Sequence, residues 1–303
     1  MTTDLSVSVP LFVENYRAGK KRLSGRGDTC RRAVAFLRAV DGAVVDPEQV
    51  RNLAAPVRTR SWRFAAGLDL VIAAAALGSP DPSGAVRDTK LAWEALKVRP
   101  FSPGPFLSAT ALVLAGRAAP GEFGLLAERA RAAYLLQRAD HVIVTSADDY
   151  VPSLLLALGP QEVTAATRLV ETVYGTLKPR FRRNAGQTLA QLLVIGGLWE
   201  VELDHVVAVR DALARAKVKL SGQPGASGLG LLVLAQCDHG WLASTVAAVS
   251  ADLRGAKVVR DTMAMFLVAA ALGHDVPLVR AAFLNVVARI VVDEQAAAAT
   301  AAM

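Results

Sequence analysis

The sequence predicts an all-α protein: about seven αα-hairpin repeats of roughly 38 residues, forming a closed or nearly closed α/α ring or a tight superhelical solenoid. Three observations carry this expectation. First, apolar stretches that stop on a small residue recur along the chain. They read "RAVDG" to Gly42, "AAALG" to Gly78, "LVLAG" to Gly116, "LLALG" to Gly159, "LVIGG" to Gly197, "VLAQC" to Cys237 and "AAALG" to Gly273. The steps between these stops are 36 to 43 residues, and a period near 38 without a strand-type pattern marks a two-helix repeat. Second, each stretch is apolar nearly all round, so it must be covered on most sides. Third, each stop is followed by a polar start and then an amphipathic stretch.

Taken in order, each unit is an inner helix A followed by an outer helix B. Helix A ends where glycine fits a left-handed cap that lets the chain turn. Starts such as "SPDPSG" at Ser79 and "GPQEV" at Gly159 then open helix B. The stretch 86–98 shows the outer type: Leu91, Trp93, Leu96 and Val98 form an apolar stripe beside Arg87, Asp88, Lys90 and Glu94. Closure is favoured over an open array, because the concave face of an open solenoid would expose the apolar A helices. The last helix, from about Val276, is expected to act as a cap, with a tail over 295–303 that frays. Nothing between repeats reads as a linker, so residues 1–303 are expected to form a single helical-repeat domain.

Composition bounds the function. At 303 residues and 53% hydrophobic, the chain has ample material for a core. The longest apolar run, Phe64 to Gly78, carries Asp69 and is shorter than the roughly 20 residues a span needs, so membrane insertion is not expected. The first 25 residues contain Glu14, Arg17, Lys20, Lys21 and Arg22 and lack a signal-peptide pattern. Two cysteines, Cys30 and Cys237, suit a reducing compartment, and the expected location is cytoplasmic. The net charge of +7 concentrates in a basic N-terminal segment, residues 1–63, which holds twelve Lys or Arg against six acids. Nucleic acid is nevertheless a disfavoured partner, because few aromatics are present to stack bases and no reading motif occurs.

The candidate residues fall at the two ends of the A helices. Residues that open those helices include Thr145, Asp148, Asp149 and Tyr150 of "TSADDY", together with Asn184 and Gln187 of "RRNAGQ". Ser, Thr and Asp ahead of an apolar run accept hydrogen bonds from the exposed N–H groups of a helix start, so helix capping is the principal expectation for the aspartates. Asn184 and Gln187 are one turn apart and suit hydrogen bonding between repeats. The same six residues are the candidate binding set. At the opposite ends, "CDHGW" and "GHD" place Cys237, Asp238, His239 and His274 at equivalent turns of adjacent repeats. These include good zinc ligands, though Asp238 also suits a helix cap. No complete catalytic constellation is present: "GASGLG" at Gly225 departs from the nucleophile elbow at Leu229, and no phosphate-binding glycine loop occurs.

Four stretches carry a wider likeness. "LFVENYRAGKKRL" at Leu11, "PFLSATALVLA" at Pro105, "TSADDYVPSLLLAL" at Thr145 and "NAGQTLAQLL" at Asn184 resemble, in that order, segments of an uncharacterised bacterial family of helical proteins known only as a domain of unknown function. The resemblance spans residues 11–249 and implies an all-helical cytoplasmic protein. It carries over no catalytic residue and no cofactor. The expectation is therefore a non-enzymatic binding or scaffold protein that receives an unknown protein or small-molecule ligand in a central groove or on a rim. The alternative is an α/α-ring enzyme with a metal or small-molecule site at Cys237 and His274.

Overall fold

The computed structural model describes residues 5–23, 27–58, 68–97, 100–140, 146–200, 203–258, 261–273 and 275–301. Among them are fifteen α-helices and no strand. In chain order they begin with α1 (Leu5–Arg22), α2 (Asp28–Val40), α3 (Pro47–Ala54), α4 (Leu68–Ala76), α5 (Pro82–Leu96), α6 (Pro105–Ala115), α7 (Phe123–Asp140) and α8 (Tyr150–Leu158). They continue with α9 (Val163–Leu177), α10 (Arg183–Ile195), α11 (Leu203–Arg215), α12 (Gly222–Leu234), α13 (His239–Gly255), α14 (Asp261–Ala271) and α15 (Val276–Ala301). No described helix is long and apolar enough to cross a membrane.

The local chemistry explains the alternation. Helices α3, α5 and α13 start on an aspartate: Asp46 accepts from Glu48 N–H at 2.9 Å, Asp81 from Gly84 N–H at 2.9 Å and Asp238 from Trp241 N–H at 2.7 Å. Pro47 and Pro82 occupy the first helical position, where the missing N–H costs nothing. The even-numbered helices end at the predicted small-residue stops. Gly42, Gly197 and Gly273 take the left-handed conformation expected there, whereas Gly116 and Gly159 have negative φ and need no glycine for backbone reasons. After α12 the left-handed residue is Gln236 rather than a glycine.

The even-numbered helices supply most of the core. Leu107, Leu154, Leu193, Leu232 and Phe266 are fully buried. Along the chain α2 lies against α4, α4 against α6, α6 against α8, α8 against α10, α10 against α12 and α12 against α14, and α14 touches α2. Five of the odd-numbered helices each pack on the even-numbered helix that follows: α5 on α6, α7 on α8, α9 on α10, α11 on α12 and α13 on α14. The "GASGLG" stretch proves to be a packing device inside α12. A Cβ added at Gly228 would stand 2.9 Å from Met265, and one at Gly230 would stand 3.2 Å from Leu189, so both neighbouring helices approach closely only because the side chains are absent.

Helix α15 departs from expectation. Instead of capping the end of the row, it packs against α2, α6, α8, α12 and α14 together. Its composition gives the reason: Leu278, Val279, Phe283, Leu284, Val287 and Val291 are buried on every side of the helix, so a one-sided packing site could not cover it. Its direction follows from three contacts. Arg280 pairs with Asp41 just beyond the end of α2, Arg289 pairs with Asp148 before the start of α8, and Thr29 near the start of α2 donates to Glu294 at 2.6 Å. It therefore runs antiparallel to α2 for about 20 Å, at about 1.5 Å per residue.

Candidate functional site

The residues singled out before α8 and in α10 meet in one buried polar junction. Ser146 opens a short 3-10 turn, Ala147–Asp149, and its backbone N–H donates to Asp149 Oδ2 at 3.0 Å. That bond closes the 3-10 turn ahead of α8, whereas α8 itself has no side-chain cap on its first N–H groups, and it is a minor share of what the aspartates do. Gln191 Nε2, from α10, donates to Asp149 Oδ1 at 2.7 Å and to Gln137 Oε1 of α7 at 2.6 Å. Gln137 in turn donates to Ser153 of α8 at 3.3 Å. Gln187 stands at the limit of hydrogen bonding, with its Nε2 3.5 Å from Asp149 Oδ1. Asp148 faces the other way: Gln223 of α12 donates to its Oδ2 at 2.6 Å, Arg289 of α15 lies 3.3 Å from the same oxygen, and Ser146 Oγ bonds Oδ1. Asn285 of α15 donates to the Asp148 carbonyl at 2.9 Å.

Burial sets the electrostatics. Asp148 and Asp149 are each 6% exposed. Burial, then the neighbouring Asp148 charge, pushes the Asp149 carboxyl up to about 7, against the opposing bonds from Gln191 and Ser146. Only about 10 Å³ of open space remains beside Asp148, Gln223, Asn285 and Arg289, room for about one water. Tyr150 is buried too. Its hydroxyl donates to Pro100 O at 3.2 Å and accepts from Ser102 N–H at 3.1 Å, while its ring packs on Phe101 and Tyr134. Asn184 is exposed, and Thr145 lies outside the described residues. Gln137, Gln191, Gln223, Asn285 and Arg289 were not singled out from the sequence. The available signal was a glutamine in an otherwise apolar helix, with Gln187 and Gln191 on one face.

The junction yields a stability prediction. Arg289→Met removes the cation paired with Asp148 and should cost about 1 to 2 kcal/mol, less than a fully buried pair because the arginine is partly exposed. Thermal unfolding at neutral pH should shift down by several degrees, and Asp148→Asn combined with Arg289→Met should recover some of the loss. An unchanged midpoint in Arg289→Met would show that the pair holds nothing together.

At the other end of the even-numbered helices the structure opens. A cavity of about 610 Å³ lies where α4 and α6 end, bordered by α5 on one side and by the start of α15 on the other. Its floor is hydrocarbon from Leu37, Leu112, Val113 and Leu284, and its charged groups are Asp81, Asp88, Arg117 and Arg280. This size and mixture are those of a small-molecule site. None of its charged residues was among the sequence candidates.

The proposed metal-ligating set is only partly in view. Asp238 caps α13 as described, Cys237 is partly buried against the core with Sγ 3.3 Å from Ala235 O, and His239 is exposed. His274 lies outside the described residues. No group of three or more His, Cys, Asp or Glu placed to hold a metal occurs among the described residues.

The molecule is thus an all-helical protein with a closed polar junction at one end of its inner helices and an apolar-floored cavity at the other. The chain belongs to the family described as protein of unknown function (DUF4003), whose model matches residues 15–296. This agrees with the likeness to a family of unknown function drawn from the sequence motifs. No curated protein and no solved structure matches the chain.

Proposed function

We propose that this is a non-enzymatic binding protein: seven helical hairpins of about 38 residues arranged as a closed ring, with α15 along its axis and a small-molecule ligand held in the cavity at the ends of α4 and α6. The cavity carries the reading, because it joins a hydrocarbon floor to a few charged groups in a half-open cleft. The ring arrangement is supported by the succession of helix contacts that returns from α14 to α2, and by an apolar α15 in touch with five other helices. On this reading the central groove is filled, and the binding surface is a rim. Asp148, Asp149, Tyr150 and Gln187 then serve to lock the opposite rim rather than to meet a ligand. A cytoplasmic setting goes with two cysteines, neither of which forms a disulfide.

The test uses a fragment mixture that includes neutral, cationic, anionic and zwitterionic compounds, followed by ligand-observed NMR. Gly116 borders the cavity with φ −82°, and a Cβ there would stand 3.4 Å from Leu112 O, an ordinary contact. Gly116→Trp should abolish the signals of bound fragments without lowering the melting temperature. Fragments that bind wild type and Gly116→Trp alike, or none that bind at all, would remove the reading, and chemical turnover of a bound fragment would remove its non-enzymatic aspect.

A further inference from the structure

The cavity at the ends of α4 and α6 has two electrically opposite walls, and from these we infer that its ligand is a short apolar peptide with both termini free. The inference rests on the binding function proposed above and names the ligand class.

The acidic wall is α5. Asp88 is half-buried at the cavity and has no ion-pair partner among the described residues. Asp81, at the start of the same helix, is offset by Arg87 at 3.4 Å. The C-terminal ends of α4 and α6, with their partial negative charge, border the same space. An ammonium group is the counterpart this wall asks for.

The basic wall is the first turns of α15, where Asp275 already accepts from Leu278 N–H at 3.1 Å and the remaining positive charge comes from arginines. Asp41 answers two guanidinium groups there, Arg38 at 2.9 Å and Arg280, so the trio keeps one uncompensated positive charge. Arg280 Nε is buried and has no hydrogen-bond partner among the described residues, so any ligand meets the guanidinium's charge rather than that N–H. Arg117, beyond the end of α6, adds a second cation, which pairs with a half-exposed Asp275 at 3.5 Å. This wall asks for a carboxylate.

Helices α5 and α15 both pack on α6 and both border the cavity, whose hydrocarbon floor includes Leu112 and Val113 of α6. The ligand must therefore carry an amine at one end, a carboxylate at the other and an apolar body. A single amino acid has both charges on one carbon and places no apolar body between them. A fatty acid or an alkylamine satisfies one wall and leaves the other unanswered. A peptide of two to four apolar residues spans roughly 7 to 14 Å and meets all three conditions.

The experiment titrates Leu-Ala-Leu into the full chain by calorimetry, alongside its N-acetylated form, its C-terminal amide and leucine alone. The free peptide should bind about ten- to a hundredfold tighter than either blocked form, the worth of one charge-assisted hydrogen bond. Asp88→Asn should weaken the free peptide by a similar factor and leave the N-acetylated form unchanged. Arg117→Gln should weaken the free peptide and leave the amide unchanged, and it keeps the Asp41 pairing intact. Equal affinity for free and blocked peptides, or tighter binding of leucine, overturns the inference. So does an absence of peptide binding while other fragments bind in a manner sensitive to Gly116→Trp, and in that case the binding function itself stands.

Discussion

Phe283→Ala should lower the unfolding free energy by about 3 to 5 kcal/mol, the usual cost of emptying a fully packed phenylalanine site. Phe283 is 2% exposed in the first third of α15, with its ring centroid 3.9 Å from that of Phe36 in α2 and 5.4 Å from that of Phe266 in α14. Three helices lose a shared contact, and the aromatic pairing adds about 0.5 to 1.5 kcal/mol beyond burial alone. Phe283→Leu keeps most of the volume and should cost less, about 1.5 kcal/mol or below. Urea denaturation followed by circular dichroism measures both. A Phe283→Ala loss within about 0.5 kcal/mol, as for a surface substitution, would mean that α15 is not integral to the core.

The second large effect is a pH dependence with an unusual sign. Asp149 has a folded-state pKa of about 7, while the unfolded chain restores the ordinary aspartate value of about 3.9. Between those values the folded chain holds a proton that the unfolded chain has released, so stability from this group is fully present below about pH 4. It is lost as pH rises towards 7, with a slope of at most about 1.4 kcal/mol per pH unit. Most paired carboxylates give the opposite slope. Asp149→Asn keeps the shape and removes the titration, so its stability should vary less between pH 4 and 7 than that of wild type. A difference curve that is flat, or that rises with pH, would show that Asp149 stays charged in the folded protein. The groups facing it are the Asp148 carboxylate, which favours the protonated form, and the Gln191 and Ser146 donors, which favour the charged one.

Much of the helical framework was legible because its signals are local. The stops at Gly42, Gly78, Gly116, Gly159, Gly197, Cys237 and Gly273 each lie within three residues of an observed helix end, since a helix terminates through the chemistry of the few residues around it. The course of α15 was not legible in the same way. Its apolar pattern says that it must be surrounded, but no neighbour along the chain says by what. The polar junction divides along the same line. Asp148 and Asp149 could be read as helix-start residues from "TSADDY" alone, whereas Gln191, Gln223 and Arg289 stand 42, 75 and 141 residues away from the aspartates they meet. The cavity is harder still to read, because Asp88 looks like one more charge on an amphipathic face until the turn after α6 and the start of α15 are placed beside it.

The position of α15 also fixes when the molecule can be finished. Its contacts reach back 239 residues from Arg280 to Asp41 and 265 residues from Glu294 to Thr29. During synthesis α2, α6, α8, α12 and α14 all emerge while the helix they share as a neighbour is still unmade. Chain growth at about 5 to 20 residues per second leaves α2 without that neighbour for tens of seconds and α12 for only a few. Those contacts can form only after α15 has left the ribosome, and a chain stopped before Val276 lacks all of them.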